Sequence, residues 1–291
     1  IRLGLLRDSQ VHPSEGWNDN RAGARTHTVA PELQLEHTTV PITYENFTTS
    51  EIFNYYCPDI ASPNSFESIG HIAHYNLTEE QSKHGKLIGD ILLLRNPLIK
   101  TVANKTEKLH NVYRTPVLEL LAGPANYEVE VREQGVRFLL DFEKVYWCSR
   151  LSTERDRLLA TFKKGETLMD LFCGVGPLAV RAARIGMHVI ANDLNPDCYL
   201  YLEKNAKLNR VEDRMLCFNG CAREVVRKWF DETYVNSLAQ PFRRFHHVYM
   251  NLPVDAVEFL DVFKGFLVRS NWKEEELPMI HVNGFVVAPD D

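Results

Sequence analysis

The 291-residue sequence lacks any Cys-x-x-Cys pair among its six cysteines, at 57, 148, 173, 198, 217 and 221. Only Cys217 and Cys221 are close, and without a partner pair they do not make zinc-site spacing. Reduced thiols and no metal are the expectation. No apolar run approaches the roughly 20 residues of a membrane helix, so no membrane partner is expected. There is no initiator Met, and Ile1 to Arg7 lacks the length and cleavage region of a signal peptide. We read the chain as trimmed at both ends. A basic excess is also missing: 33 Lys and Arg against 39 Asp and Glu give a net charge of −6. Charge alone therefore does not advertise a nucleic-acid partner, although a polyanion needs a basic face rather than a basic total. Local basic stretches exist at Lys100, Lys105 and Lys108 before Arg114, at Arg223, Arg227 and Lys228, and at Arg243 and Arg244. Internal repeats and low-complexity tracts are absent.

With 44% hydrophobic and 25% charged residues, the chain reads as a soluble globular protein of one large or two ordinary domains. Residues 1–50 show no sustained periodicity and form a poorly determined segment. Residues 51–145 read as a small α+β domain. Its expected elements are a capped helix from Ser50 stopped by Pro58, a strand over Phe66 to Leu77, and a helix from Thr78 to Lys86. A buried strand over Leu87 to Leu94 follows, then two strands hinged at Gln134-Gly135. After Trp147 the pattern changes to alternating strands and helices. Strands are expected at 167–172, 188–192, 215–218 and 246–250, with helices at 154–162, 177–185 and 196–208. That alternation predicts an α/β domain with a doubly wound, mainly parallel sheet over 146–291.

The sharpest local signal is Asp170-Leu171-Phe172-Cys173-Gly174-Val175-Gly176-Pro177-Leu178, a strand running through two glycines into a helix. Glycines let backbone approach a ligand without a Cβ in the way. Asp193, at the end of the next strand, is placed to take two ribose hydroxyls. Three readings compete. Gly174 to Ala179 fits the dinucleotide fingerprint, which would make the chain a nicotinamide enzyme. Pro177 removes an N–H where a pyrophosphate would seek donors, however, and Asp170 would repel it. The same carboxylate suits the ammonium and sulfonium charges of S-adenosylmethionine, which we favour. A glycine turn with no ligand is the third.

Six separated stretches then fall into one order: Gly70-His71-Ile72-Ala73-His74-Tyr75-Asn76-Leu77, Lys144-Val145-Tyr146-Trp147, Arg150-Leu151-Ser152-Thr153-Glu154-Arg155, Asp170 to Pro177, Asn192-Asp193-Leu194-Asn195-Pro196 and Asn251-Leu252-Pro253. Together they strongly resemble the eukaryotic and archaeal tRNA (guanine-37 N1) methyltransferases, over roughly residues 50–285. The resemblance implies a Rossmann-type methyltransferase domain behind a smaller α+β domain, with residues 1–50 as the remnant of a tRNA-recognition domain. It implies S-adenosylmethionine as cofactor, the tRNA anticodon loop as partner, a monomer, and a cytoplasmic location with mitochondrial matrix and nuclear pools.

The chemistry sets requirements of its own. Guanine N1 must lose a proton for the nitrogen to attack a methyl sulfonium, which suits a carboxylate base, especially one whose pKa is raised by burial. Negative charge then builds on O6, which suits an arginine donor. By resemblance Glu154 is that base and Arg114 that donor, with Asn251 and Pro253 shaping the active-site loop. A helix-end carboxylate, a surface charge and an ordinary turn are the bland readings of the same residues. Cofactor contacts are expected from Arg155, Asp170, Phe172, Gly174, Gly176, Asp193, Leu194, Asn195, Cys221, Ala222 and Asn251. Tyr146 and Trp147 could stack on an extruded base or fill the core. The sequence departs from the family where Cys221 replaces the adenine-binding carboxylate, and at Cys148-Ser149 after Tyr-Trp. Alternatives are the aminocarboxypropyl transferase of wybutosine synthesis and an RNA-binding module with an inactive cofactor pocket.

Overall fold

The computed structural model describes residues 4–6, 35–37, 43–63, 65–106, 112–252, 254–265 and 272–284. Most of the segment read at 1–50 lies outside these residues, as do Lys108 and Pro253. Near the start, β1 (Gly4–Leu6) pairs antiparallel with β2 (Leu35–His37).

The small unit opens with α1 (Thr49–Tyr56). Thr48 accepts from Glu51 N, and the Glu51 carboxylate accepts from Thr48 N at 2.7 Å, so two orphan donors are satisfied reciprocally. A four-stranded sheet follows in the order β3 (Glu67–Ile69), β4 (Ile72–Tyr75), β5 (Thr101–Lys105), β6 (Leu118–Ala122). The central pair is parallel and the outer pairs are antiparallel. Helices α2 (Glu79–Ser82) and α3 (Gly85–Arg95) connect β4 to β5.

Two expectations are corrected here. The single strand over Phe66 to Leu77 is a hairpin, because Gly70 turns the chain at φ +56°. The strand expected at Leu87 to Leu94 is part of α3. Its buried residues Ile88, Ile91 and Leu92 recur at helical spacing, a pattern that a short apolar run hides. Gly85 and Gly89 lie on one helix face, and a Cβ at Gly89 would meet that of Ala122 at 2.7 Å. Those glycines let α3 sit close on β6.

The larger unit holds five strands, β9 (Thr167–Asp170), β10 (His188–Asp193), β11 (Met215–Asn219), β12 (His247–Met250) and β13 (Met279–Val282). They lie in the order β11-β10-β9-β12-β13, with every neighbouring pair parallel. Leu168, Met169, Val189, Ile190, Val248 and Met250 are buried on both faces, as a sheet covered on two sides requires. The chain moves outward from β9 through β10 to β11, then restarts on the other side at β12. That reversal opens a crevice at the carboxyl ends of β9 and β12. Helices α4 (Ser152–Leu159), α5 (Ala179–Arg184), α6 (Pro196–Leu208), α7 (Ala222–Arg227), α8 (Glu232–Ser237) and α9 (Gln240–Arg243) complete the unit. None of the described helices is long and apolar enough to cross a membrane.

Between the two units stands the antiparallel hairpin β7 (Glu128–Glu133) and β8 (Val136–Asp141). Asn205 of α6 accepts from Leu139 N at 2.7 Å and donates to Leu139 O at 3.0 Å, and Asn209 does the same for Arg137. These amides stand in for a missing neighbouring strand. Phe138 and Leu140 share one core with Leu178, Val180 and Leu202 of the larger unit. The hairpin, read in the sequence with the small domain, is thus welded to the parallel sheet.

Candidate active site

The glycine turn after β9 is fixed from three sides. Leu171 N donates to Tyr249 O, Cys173 N to Asn192 O and Gly176 N to Cys173 O. Gly176 has φ +90°, and a Cβ there would meet Leu202 Cδ1 at 2.7 Å, so this glycine packs the turn onto α6. Gly174 differs: φ is +56°, and a Cβ would meet nothing within 4 Å. Its open side belongs to a cavity of about 290 Å³ over the carboxyl ends of β9, β10 and β12. The helix after the turn starts at Ala179, two residues later than the expected Pro177.

Asp193 ends β10 with both carboxylate oxygens aimed by backbone. Gly174 N donates to Oδ2 at 2.7 Å and Asn195 N to Oδ1 at 2.9 Å. Burial pushes its pKa upward, and those two N–H donors work against the rise. Asn195 holds the next turn, accepting from Asp197 N at 2.9 Å and donating to Lys144 O at 2.8 Å. Tyr146, Trp147 and Cys148 are thereby laid along the cavity wall.

Several residues expected from the sequence converge on this wall: Arg114, Arg155, Phe172, Gly174, Asp193, Leu194, Asn195, Cys221, Ala222 and Asn251. Cys221 caps α7 where the family carboxylate was expected, next to the buried Ala222. Phe172 packs edge-on against Phe259 at 4.9 Å, forming an apolar side. Asn251 Oδ1 accepts from Asn283 Nδ2 at 2.9 Å. Arg114 sits on the loop between β5 and β6 at φ +54°, a conformation a side chain makes costly, and its guanidinium is paired with Asp255.

Other expected residues lie elsewhere. Asp170 is 1% exposed and lies beneath the wall rather than on it. Burial, with the Asp193 charge, pushes its pKa up to about 8 against the opposing Phe172 N–H and Arg155. Arg155 reaches the wall, but its guanidinium is committed to the buried Glu133 carboxylate and to Cys148 O. Glu154 does not have the raised pKa that would best suit a base: Arg157 grips it at 2.8 and 2.6 Å and holds its pKa below the ordinary range. It does not line the cavity. Pro253 is outside the described residues.

Sequence reasoning missed Asn192, Cys198, Leu252 and Phe259 on the wall. Asn192 carried a signal, since it directly precedes Asp193 in the Asn-Asp-Leu-Asn-Pro motif. Its Nδ2 donates at 3.0 Å to both Leu171 O and Gly220 O, locking the ends of neighbouring strands. Its Oδ1 is buried with no partner among the described residues.

The profile of the TRM5/TYW2 methyltransferase domain matches residues 129–271, and that of the TYW2 N-terminal domain matches 56–126. The chain is similar to a tRNA (guanine(37)-N(1))-methyltransferase of Paramecium tetraurelia, at 46% identity over 265 residues, 89% of this chain and 61% of that protein. A protein of the same name from Candida albicans (strain SC5314 / ATCC MYA-2876) is 38% identical over 327 residues, 97% of this chain and 71% of that one. Among solved structures, Trm5b from Pyrococcus abyssi superposes with a TM-score of 0.59 at 30% identity, over 82% of this chain and 68% of that one. The chain spans less than two thirds of the length of the Paramecium relative.

Proposed function

The chain belongs to the TRM5/TYW2 methyltransferase family, and from that premise we propose that it transfers a methyl group from S-adenosylmethionine to N1 of guanosine 37 in tRNA. The observation that carries this reading is the Asp193 carboxylate, held by two N–H groups beside the open backbone of Gly174. A carboxylate so placed suits a ribose, and a glycine with free space above it suits close approach by the methionine end. The Asn192 Oδ1, without a partner among the described residues, and the apolar Phe172–Phe259 corner fit the same amphipathic group. When bound, S-adenosylmethionine supplies a methyl group activated on sulfonium.

The protein's own residues would then do the following. Asp193 accepts from the ribose hydroxyls, while Leu194, Cys221 and Ala222 flank the adenine. Asn251 holds the guanine edge. Arg114 exchanges Asp255 for guanine O6, where charge builds in the transition state. Glu154 exchanges Arg157 for the N1 proton. As the methyl group passed from sulfonium sulfur to guanine N1, the Glu154 carboxylate would take the N1 proton. Each exchange gives up an ion pair that solvent already weakens, since Glu154 and Asp255 are 36% and 44% exposed.

The test is incubation with labelled cofactor and tRNA transcripts that differ only at position 37. Label should appear on guanosine 37 as a methyl group by product mass. Equal labelling of transcripts without that guanosine would sink the reading, and an aminocarboxypropyl product would replace it with the related transferase. A cofactor-side test is Asp193→Ala, which removes two charge-assisted hydrogen bonds. By calorimetry with S-adenosylmethionine, binding should weaken by roughly 2–4 kcal/mol. The raised pKa of Asp193 has a sign consequence as well. Its charged form is lost as pH falls, beginning above the ordinary aspartate range, so affinity should decline on acidification in wild type and not in Asp193→Ala.

A further inference from the structure

A second charged cluster lies on the rim, outside the residues given roles above. β5 ends at Lys105, whose ammonium lies 5.3 Å from the centroid of the Phe142 ring. The side chain is half-buried, and among the described residues it has no carboxylate within ion-pair distance. Burial lowers its pKa; the Glu67 charge opposes that, and the Arg150 charge adds to it. Arg150, in the 3-10 turn at Ser149–Leu151, is 79% exposed and holds Glu67 at 3.1 Å. His74 is stacked on Phe142 at 5.1 Å and is 2% exposed. Burial, then Lys105 and Arg150, push its pKa down to about 4, so it adds no charge near neutrality. One carboxylate thus faces two permanent cations, one of them partly stripped of water. The cluster adjoins the wall, because Cys148 and Leu151, on either side of Arg150 in the same short turn, line the cavity.

We propose that Lys105 and Arg150 form a phosphate-binding subsite that takes one backbone phosphodiester of the RNA, beside the nucleotide whose base enters the cavity. The proposal rests on the RNA reading given above. A half-buried ammonium that meets a ring face, and no carboxylate within ion-pair distance among the described residues, gains from an arriving anion. A phosphodiester carries one negative charge, which balances the excess over Glu67. Arg150 adds a planar donor fork that matches phosphate oxygens. Glu67 keeps that fork oriented and yields it, since the Arg150–Glu67 pair is exposed and weak.

The test compares wild type with Lys105→Gln and Arg150→Gln, measuring affinity for a G37 anticodon stem-loop across a salt series. Each variant should bind about 5- to 30-fold more weakly at low salt. Its slope of log affinity against log salt should be shallower by somewhat under one, the expected release for about one phosphate on single-stranded RNA. A neutral methylphosphonate walked along the loop should weaken wild type at one linkage, and cost the variants little there. Arg150 is mostly exposed, so its variant keeps the fold, and unchanged S-adenosylmethionine affinity checks both. Unchanged slopes in variants that still bind RNA would overturn the subsite while leaving the RNA reading intact. Loss of cofactor affinity in place of RNA affinity would assign the pair to the cofactor's carboxylate and also overturn it. Wild type without salt-dependent RNA binding would remove the RNA reading, and the subsite with it.

Discussion

Glu133→Gln should lower folding stability by about 3–5 kcal/mol, because it removes one charge from a buried ionic network and leaves its partners uncompensated. Glu133 sits at the end of β7, 8% exposed, between two buried arginines. Its carboxylate takes Arg155 of α4 through two hydrogen bonds and Arg181 of α5 at 2.7 Å. Arg181 continues to Asp156, which also accepts from Gln134 at 3.1 Å. One carboxylate therefore binds the hairpin tip to two helices that flank the glycine turn. The loss should reach the cavity too, since Arg155 also donates to Cys148 O at 3.3 Å and lies over the Trp147 ring. Urea unfolding should show the drop, with weaker S-adenosylmethionine binding in the folded fraction. Glu130→Gln is the control. Its pair with Arg137 at 2.6 Å lies on the hairpin surface, where such pairs contribute under about 1 kcal/mol. Equal losses in the two variants would show that the Glu133 network adds no more than a surface pair.

Nothing in the sequence marked Glu133. Its partners are 22 and 48 residues away, and only the packing of a hairpin on two helices brings them together. Asp193 was legible for the opposite reason: a carboxylate at a strand end after a glycine turn is placed by local connectivity alone. The same holds for Gly174 and for α6, which runs from Pro196 to Leu208 as expected. The small unit was harder to read, because its helix α3 carries apolar residues on all sides and hides its period. Phe259 was invisible, lying in a 3-10 segment whose contact with Phe172 is set by tertiary packing. Arg155 was recognised from its motif, but the motif could not say that Glu133 would occupy its guanidinium. Asp170 was likewise singled out by its motif, while its depth beneath the wall depends on β10 and β12 flanking it within the sheet.

Glu154→Gln should reduce single-turnover methyl transfer about 10²–10⁴-fold while leaving RNA and cofactor affinity nearly unchanged, because it keeps the shape and removes the basicity. Arg157 holds Glu154 as a charged carboxylate with a lowered pKa, an effect in which hydrogen bonding outweighs burial. A base held that low is fully ionised across neutrality but accepts a proton weakly. The sign follows directly. The rate should rise with pH only through the Glu154 pKa, so the wild-type limb lies on the acid side and the profile is flat through neutrality. Arg157→Gln removes the main cause of the depression, so the limb should move upward toward the ordinary glutamate range. If the guanine edge displaces Arg157 during the reaction, the cofactor- and RNA-bound enzyme should show that higher limb even in wild type. Rapid-quench measurements of single turnovers against pH, on wild type, Arg157→Gln and Glu154→Gln, separate these cases. A Glu154→Gln enzyme with the wild-type rate across the whole range would remove Glu154 from the chemistry. Its carboxylate would then serve only to pair with Arg157 in the first turn of α4, and N1 would have to lose its proton to another acceptor.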